Sequence, residues 1–342
     1  MSTEEFEALS REQVDHFMSF GWVKIPGAFT RAQASKWTEN LWLRLGYDPN
    51  NPSTWVLEKI NMPSHSSVDV RQFAPTAWAA ICELLGGEER TDPMSTQWSD
   101  AFIVNLGDQS KTGNRKPIPP RELDNWHVDG DSFIHFLDSP EQALLVIPVL
   151  SDIEEDGGCT YICPDGIGVV AKHLRDNPEG VTPYMAREGD EDEGKYHEFS
   201  WFVQQIRDDT KCNLFQQMTG KVGDVILMHP LMIHSASRNC CGTPRIITNP
   251  SVHLKEPFQF DRKDPDEFSL VERKTLRELG VMSLPEWQIN RERKKLLPGR
   301  VEIHDRMREI EKRRLKGENM GATGDTGVEV HRKLVKDLYV MP

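Results

Sequence analysis

The sequence predicts a mainly β chain, a sandwich or jelly-roll barrel entered through helices and left through a charged helical tail. Three observations carry that expectation. Short apolar runs, AFIVNLG (101–107), NWHVDGD (125–131), ALLVIPVL (143–150), CTYIC (159–163), DVILMH (224–229) and RIITNPSVHL (245–254), are divided by Gly, Pro, Asp and Asn, the punctuation of short strands. Helical periodicity precedes them, and charged helix formers follow from about residue 255. A chain of 342 residues, 37% hydrophobic, can bury one large core. We expect a domain over 1–254 and a charged helical extension over 255–342, packed on or beside it.

The elements follow in order. Ser10 with Gln13 three residues later is a capping-box pair, and Val14, Phe17 and Met18 recur at helical spacing, so a helix is expected over about 10–20. Gly21 closes it, and GWVKIPGAF alternates as a strand before the Pro26-Gly27 turn. A second helix is expected from Thr30 to Leu45, and a short one at TAWAAICELLGG ends at its glycines. The stretch 164–215 reads as an insertion near the barrel mouth, with a helix (GVVAKHLRDN), an acidic loop (REGDEDEGK) and an aromatic return (HEFSWFVQQI). Beyond it, SLVERKTLREL and RERKKLLPGRVEIHDRMREIEKRRLKG read as helices, the second as a solvated face or a phosphate or partner patch. GENMGATGDTG reads as a linker, and no internal repeat is evident.

Composition excludes several function classes. A formal net charge of −13 opposes a nucleic-acid role, which needs basic side chains to displace counterions. The six cysteines form no CxxC pair and are expected to be reduced thiols. The start, MSTEEFEALSREQ, has neither the apolar part of a signal peptide nor the arginines of a transit peptide, and LYVMP is not a peroxisomal signal. No run nears the roughly 20 apolar residues a bilayer span needs. The expectation is a cytoplasmic protein with a small-molecule partner, no nucleic acid and no membrane, able to dimerise through its C-terminal helices.

The chemistry concentrates in two segments. On a strand, Asn125, His127 and Asp129 of NWHVDGDSFIHF would share one face, but a lone HxD is by itself more often an ordinary polar pair. A third candidate ligand comes from GDVILMHPLMIHSASRNCCGTPR (223–245), where an apolar strand opening at Gly223-Asp224 reaches His229 and His234. Two histidines and one carboxylate compose the facial triad of non-haem iron, which leaves three positions open. Arg245, eleven residues after His234, can grip a carboxylate at two points. Asp131, Phe133, His135 and Trp126 read as either pocket lining or rim packing. Cys159 with Cys163, and the adjacent Cys240-Cys241 pair, lack zinc-site spacing, Ser235 and Ser237 sit in no GxSxG elbow, and the glycines form no phosphate loop.

The order HxD, then a GD-strand ending in HPLMIHSASRN, then arginine resembles the phytanoyl-CoA dioxygenase family of iron(II)/2-oxoglutarate oxygenases. LSREQVDHFMSFGWVKIPGAFT and DIEEDGGCTYICPDG look like further parts of its pattern, so the resemblance spans about residues 9–254. It implies a double-stranded β-helix of the jelly-roll, cupin-like kind. It also implies iron(II) on His127, Asp129 and His234, 2-oxoglutarate on Arg245, and dioxygen as the second cosubstrate. His229 matches the motif's first histidine and is expected to be a core or pocket-side imidazole. Asn105, Asn125 and Thr160 are the candidates for further 2-oxoglutarate contacts, because LLVIPVL stands where the family has an aromatic contact. Asp156-Gly157-Gly158 replaces its asparagine-glycine turn. The carboxylate of Asp129 points to hydroxylation, since related halogenases carry a small residue there. A small apolar metabolite, such as a polyketide, terpenoid or fatty-acyl compound, is the expected substrate. A protein or peptide hydroxylase and a non-catalytic metal or ligand-binding barrel are the alternatives.

Overall fold

The computed structural model describes residues 6–107, 115–187 and 200–318. The acidic loop at 188–195 and the linker from 319 onward lie outside the described residues.

Local chemistry sets the N-terminal elements. Helix α1 (Arg11–Phe20) begins at Ser10, whose side chain and that of Gln13 each accept the other residue's backbone N–H, and ends at Gly21 with φ 73°. Strand β1 (Trp22–Ile25) follows. The expected helix from Thr30 to Leu45 is instead two helices, α2 (Arg31–Trp37) and α3 (Leu41–Leu45). The Thr38 hydroxyl donates to the Ala34 carbonyl, and such back-bonding competes with continued helix. Next come β2 (Lys59–Asn61), β3 (Ser67–Asp69), α4 (Val70–Phe73), α5 (Pro75–Leu85), β4 (Gln97–Ser99) and β5 (Ile103–Asn105).

The central strands are β6 (Leu144–Pro148), β7 (Thr160–Cys163), β8 (Gln216–Met218), β9 (Val225–Met228), β10 (Ile233–Ala236), β11 (Arg245–Ile247) and β12 (Ser251–Val252). Helices α6 (Gly166–Asp176) and α7 (Ser200–Arg207) interrupt them, and α8 (Leu270–Leu279) and α9 (Arg300–Leu315) close the described chain. The strands pair as antiparallel sheets, β1-β9-β6-β12, β10-β7-β8, β11-β5-β2 and β3-β4. A bridge between Val149 and Ile247 connects the first of these to the third. Every residue of β6, β7 and β9 is buried, so these strands are covered on both faces, and β6 and β9 read in sequence as unbroken apolar runs. Helix residues exceed strand residues, so the architecture is mixed α/β with antiparallel sheets, a coarser answer than the mainly β chain expected.

Two expected strands come out differently. The single strand drawn from Asp224 to His234 is broken at Pro230, which has no N–H for a ladder. β9 ends at Met228, a turn closes with Met232 N–H on the His229 carbonyl, and β10 starts in another sheet. NWHVDGD forms no strand, only an isolated bridge between His127 and His234.

The two described α-helices that follow residue 254 pack on elements that precede them. Helix α8 packs on α1, α5 and α6. Helix α9 docks through charge: the Arg44 guanidinium, 2% exposed, donates to Glu311 at 2.7 Å and to Asp100 at 3.1 Å, while His65 lies 2.8 Å from Glu311. Losing one partner of such a buried network typically costs about 3–5 kcal/mol, because the others stay buried and unpaired. Residues 291–299 are not helical, and Pro298-Gly299 precede the first turn of α9. Among the described residues, no helix is long and apolar enough to cross a membrane.

Candidate metal centre

One histidine nitrogen each from His127 and His234 and a carboxylate oxygen of Asp129 lie within 4.8 Å of one another. The Nε2 atoms of both histidines sit 3.5 Å from the same oxygen, Asp129 Oδ1. Their other nitrogens are engaged: His127 Nδ1 is 2.8 Å from the Asn125 carbonyl, and His234 Nδ1 is 3.0 Å from the Met232 carbonyl. A carbonyl only accepts, so each Nδ1 donates to its carbonyl and each ring turns its Nε2 toward Asp129. Outer hydrogen bonds of this kind fix the tautomer and aim of metal-binding imidazoles. Burial pushes the Asp129 carboxyl up, but His234 and His127 outweigh it and hold it well below the usual range. The donor set is one that fits a divalent cation.

Different elements supply the three donors. His234 stands on β10, paired with Ile162 of β7, and its side chain is 9% exposed. His127 is held to that strand by reciprocal backbone bonds with His234, at 3.0 and 2.9 Å. Gly130, next to Asp129, has φ 122°, and a Cβ there would meet the His135 ring at 2.7 Å, so only glycine lets the chain pass. His135 Nε2 lies 2.6 Å from the Gly130 carbonyl, Asn249 donates to Asp129 Oδ2 at 3.2 Å, and Arg300 of α9 grips Asp131 through two nitrogens.

Arg245 is 2% exposed, donating to the carbonyls of Gly158 at 2.9 Å and Ile103 at 3.4 Å, and no carboxylate pairs with it among the described residues. Burial pulls its guanidinium down to about 10. In register, Arg245 lies opposite Asn105, which lies opposite Lys59, so one rung of the β11-β5-β2 sheet carries two cations and an amide. Lys59 Nζ reaches the Ala236 carbonyl at 3.4 Å and Asn105 Nδ2 the Ser237 carbonyl at 3.1 Å, both just past His234.

The other expected residues divide. Thr160 lies opposite Ala236, on the face of β7 that also carries Ile162 opposite His234. The Asn125 side chain instead accepts from Ser235, one residue along from His234 and on the other face, so the shared strand face expected for Asn125, His127 and Asp129 is not formed. Trp126 is fully buried, donating to the Pro120 carbonyl at 2.9 Å and packing on Phe215. Phe133 stacks on His135 with centroids 4.5 Å apart, beside Gly130. Asp131 is turned to Arg300. His229 lies away from the three donors: it is fully buried against α8, 3.0 Å from Thr275 Oγ1, because the chain turns between β9 and β10. Sequence reading missed Lys59, Asn249 and Arg300, which no local spacing connects to the HxD motif.

No family model matches the chain, and no curated protein does. Among solved structures, HygX from Streptomyces hygroscopicus, described with nickel and 2-oxoglutarate bound, overlaps 72% of this chain and 88% of its own at 13% identity and a TM-score of 0.39. SnoK, a non-haem α-ketoglutarate-dependent carbocyclase from nogalamycin biosynthesis, overlaps 72% and 84% at 15% identity and 0.37. AviO1 from Streptomyces viridochromogenes overlaps 73% and 96% at 13% and 0.37.

Proposed function

We propose that this chain is a non-haem iron(II)- and 2-oxoglutarate-dependent dioxygenase that hydroxylates a C–H bond of a small apolar metabolite and releases succinate and carbon dioxide. Polyketide, terpenoid and fatty-acyl compounds are the candidate substrate classes. The observation that carries the reading is the convergence of two imidazole Nε2 atoms on one carboxylate oxygen, with both Nδ1 atoms held by carbonyls.

When bound, iron(II) with 2-oxoglutarate and dioxygen supplies the oxidising power for C–H chemistry. The chain's own side chains do the rest. His127, Asp129 and His234 would hold the ion and leave its remaining positions to the cosubstrates. Arg245, a buried cation that donates to two carbonyls, would take the far carboxylate of 2-oxoglutarate, and Lys59 on the same rung would add to that field. His135 and Arg300 would steady the loop that carries Asp129, and apolar walls would keep bulk water from the reacting bond.

A metabolite panel incubated with the iron-loaded chain, 2-oxoglutarate and air tests the reading through succinate. We expect one compound class to raise succinate well above the substrate-free background and Asp129→Ala to give none. Iron-loaded, folded protein that forms no succinate with or without any compound contradicts it.

A further inference from the structure

A second cluster of ligand-type side chains lies apart from His127, Asp129 and His234. Cys163 ends β7, Asp165 stands just ahead of α6, and Cys212 follows α7. Their sulfurs and one carboxylate oxygen lie within 4.8 Å of one another. Both cysteines are 0% exposed and neither is in a disulfide.

The carboxylate is aimed. Asp165 Oδ2 accepts the backbone N–H of Asn213 at 2.6 Å and of Leu214 at 3.1 Å, and Oδ1 accepts the Cys163 thiol at 3.0 Å. The loop that carries Cys212 therefore also holds Asp165 against the sulfurs, as outer hydrogen bonds hold metal ligands. Arg121 brings a positive charge to the same loop, donating to the Cys212 carbonyl at 2.6 Å and to Asn213 Oδ1 at 3.0 Å. A Cys163–Cys212 disulfide would leave Oδ1 without its donor, whereas a cation uses all three groups.

We propose that Cys163, Asp165 and Cys212 form a second metal site, for zinc or another soft divalent cation, that ties the end of β7 to the loop after α7. Uptake breaks two S–H bonds, forms two metal–thiolate bonds and releases two protons to solvent, with no change of oxidation state. Asp165 is the one partly exposed member, so solvent supplies the fourth position of a tetrahedral ion from its side. Two thiolates and a carboxylate leave the occupied site with one excess negative charge, close to Arg121. Cys163 lies opposite Ile233 and Ile162 opposite His234, so the ion would brace the strand pair that presents His234.

Cadmium titrated anaerobically into the reduced, full-length Asp129→Ala chain tests this, since that background removes the other cluster as a competitor. The expected result is one equivalent bound with an ultraviolet sulfur-to-cadmium charge-transfer band, two protons released, and displacement by zinc. Cys212→Ser should lose the band. Asp165→Asn, which keeps both thiols, should bind at least about tenfold more weakly. No band on folded protein, a band that survives Cys212→Ser, or unchanged affinity in Asp165→Asn overturns the proposal. If Cys212→Ser does not fold, Asp165→Asn decides alone.

Discussion

The two halves of the candidate metal centre are held by different means. His234 belongs to a ladder, β10 on β7, with buried neighbours along both strands. His127 and Asp129 belong to no strand. One bridge ties them to His234, and single side chains do the rest: His135 on the Gly130 carbonyl, Asn249 on Asp129 and Arg300 on Asp131. Core packing fixes the first half, and polar contacts from distant parts of the chain fix the second. A segment held by a few polar contacts opens at lower free-energy cost than a buried ladder.

Both halves should matter alike to the bound ion. Asp129→Ala and His234→Ala take one donor each from the same ion, so both should lower manganese(II) affinity by about 100-fold or more in calorimetry. A large loss in only one of them would show that the halves do not share a cation. Arg245→Ala comes next. Losing a charge-assisted grip worth about 2–3 kcal/mol should weaken 2-oxoglutarate binding about 30- to 150-fold while metal affinity stays within twofold. If metal affinity falls equally, Arg245 acts on the ladder and not on the cosubstrate.

A third prediction concerns pH, with one titrating histidine near each half. Burial pulls His229 down to about 3 and His135 down to about 4, from an ordinary 6.5. Between those values and 6.5 the unfolded chain binds protons that the native chain does not. The stability they contribute is therefore complete above about pH 6.5 and lost as pH falls, at up to about 1.4 kcal/mol per pH unit for each histidine. Urea midpoints from pH 7 to 5 should fall less steeply in His229→Gln, and an unchanged slope would refute the assignment. Arg300→Ala breaks a half-exposed ion pair and should cost the fold little, yet lower metal affinity about threefold through the Asp129 loop, with Arg300→Lys recovering part of it. Metal affinity unchanged in Arg300→Ala would free the loop half from α9.

What was legible in the sequence follows the same division. Ser10 with Gln13, Gly21 and the glycines after α5 act within a few residues, so those boundaries could be read directly. The break at Thr38 and the three-residue strands β2, β3, β4 and β8 lack a pattern long enough to register. Pro230 was a visible signal that one strand ends and another begins, but the unbroken apolar run hid it. At the site, residue types and order mark His127, Asp129, His234 and Arg245 as a group. Lys59, Asn249 and Arg300 reach it only through tertiary pairing. Trp126 shows the converse: adjacent to His127 in sequence, it points into the core against Phe215.

In the proposed site the three donors would hold iron(II) and Arg245 would hold 2-oxoglutarate. Anaerobic addition of iron(II) and then 2-oxoglutarate to the folded chain should produce the weak visible charge-transfer band of the chelate, absent in Asp129→Ala, and admitting air should convert the cosubstrate to succinate. Iron-loaded, folded protein that gives neither the band nor succinate would contradict the account.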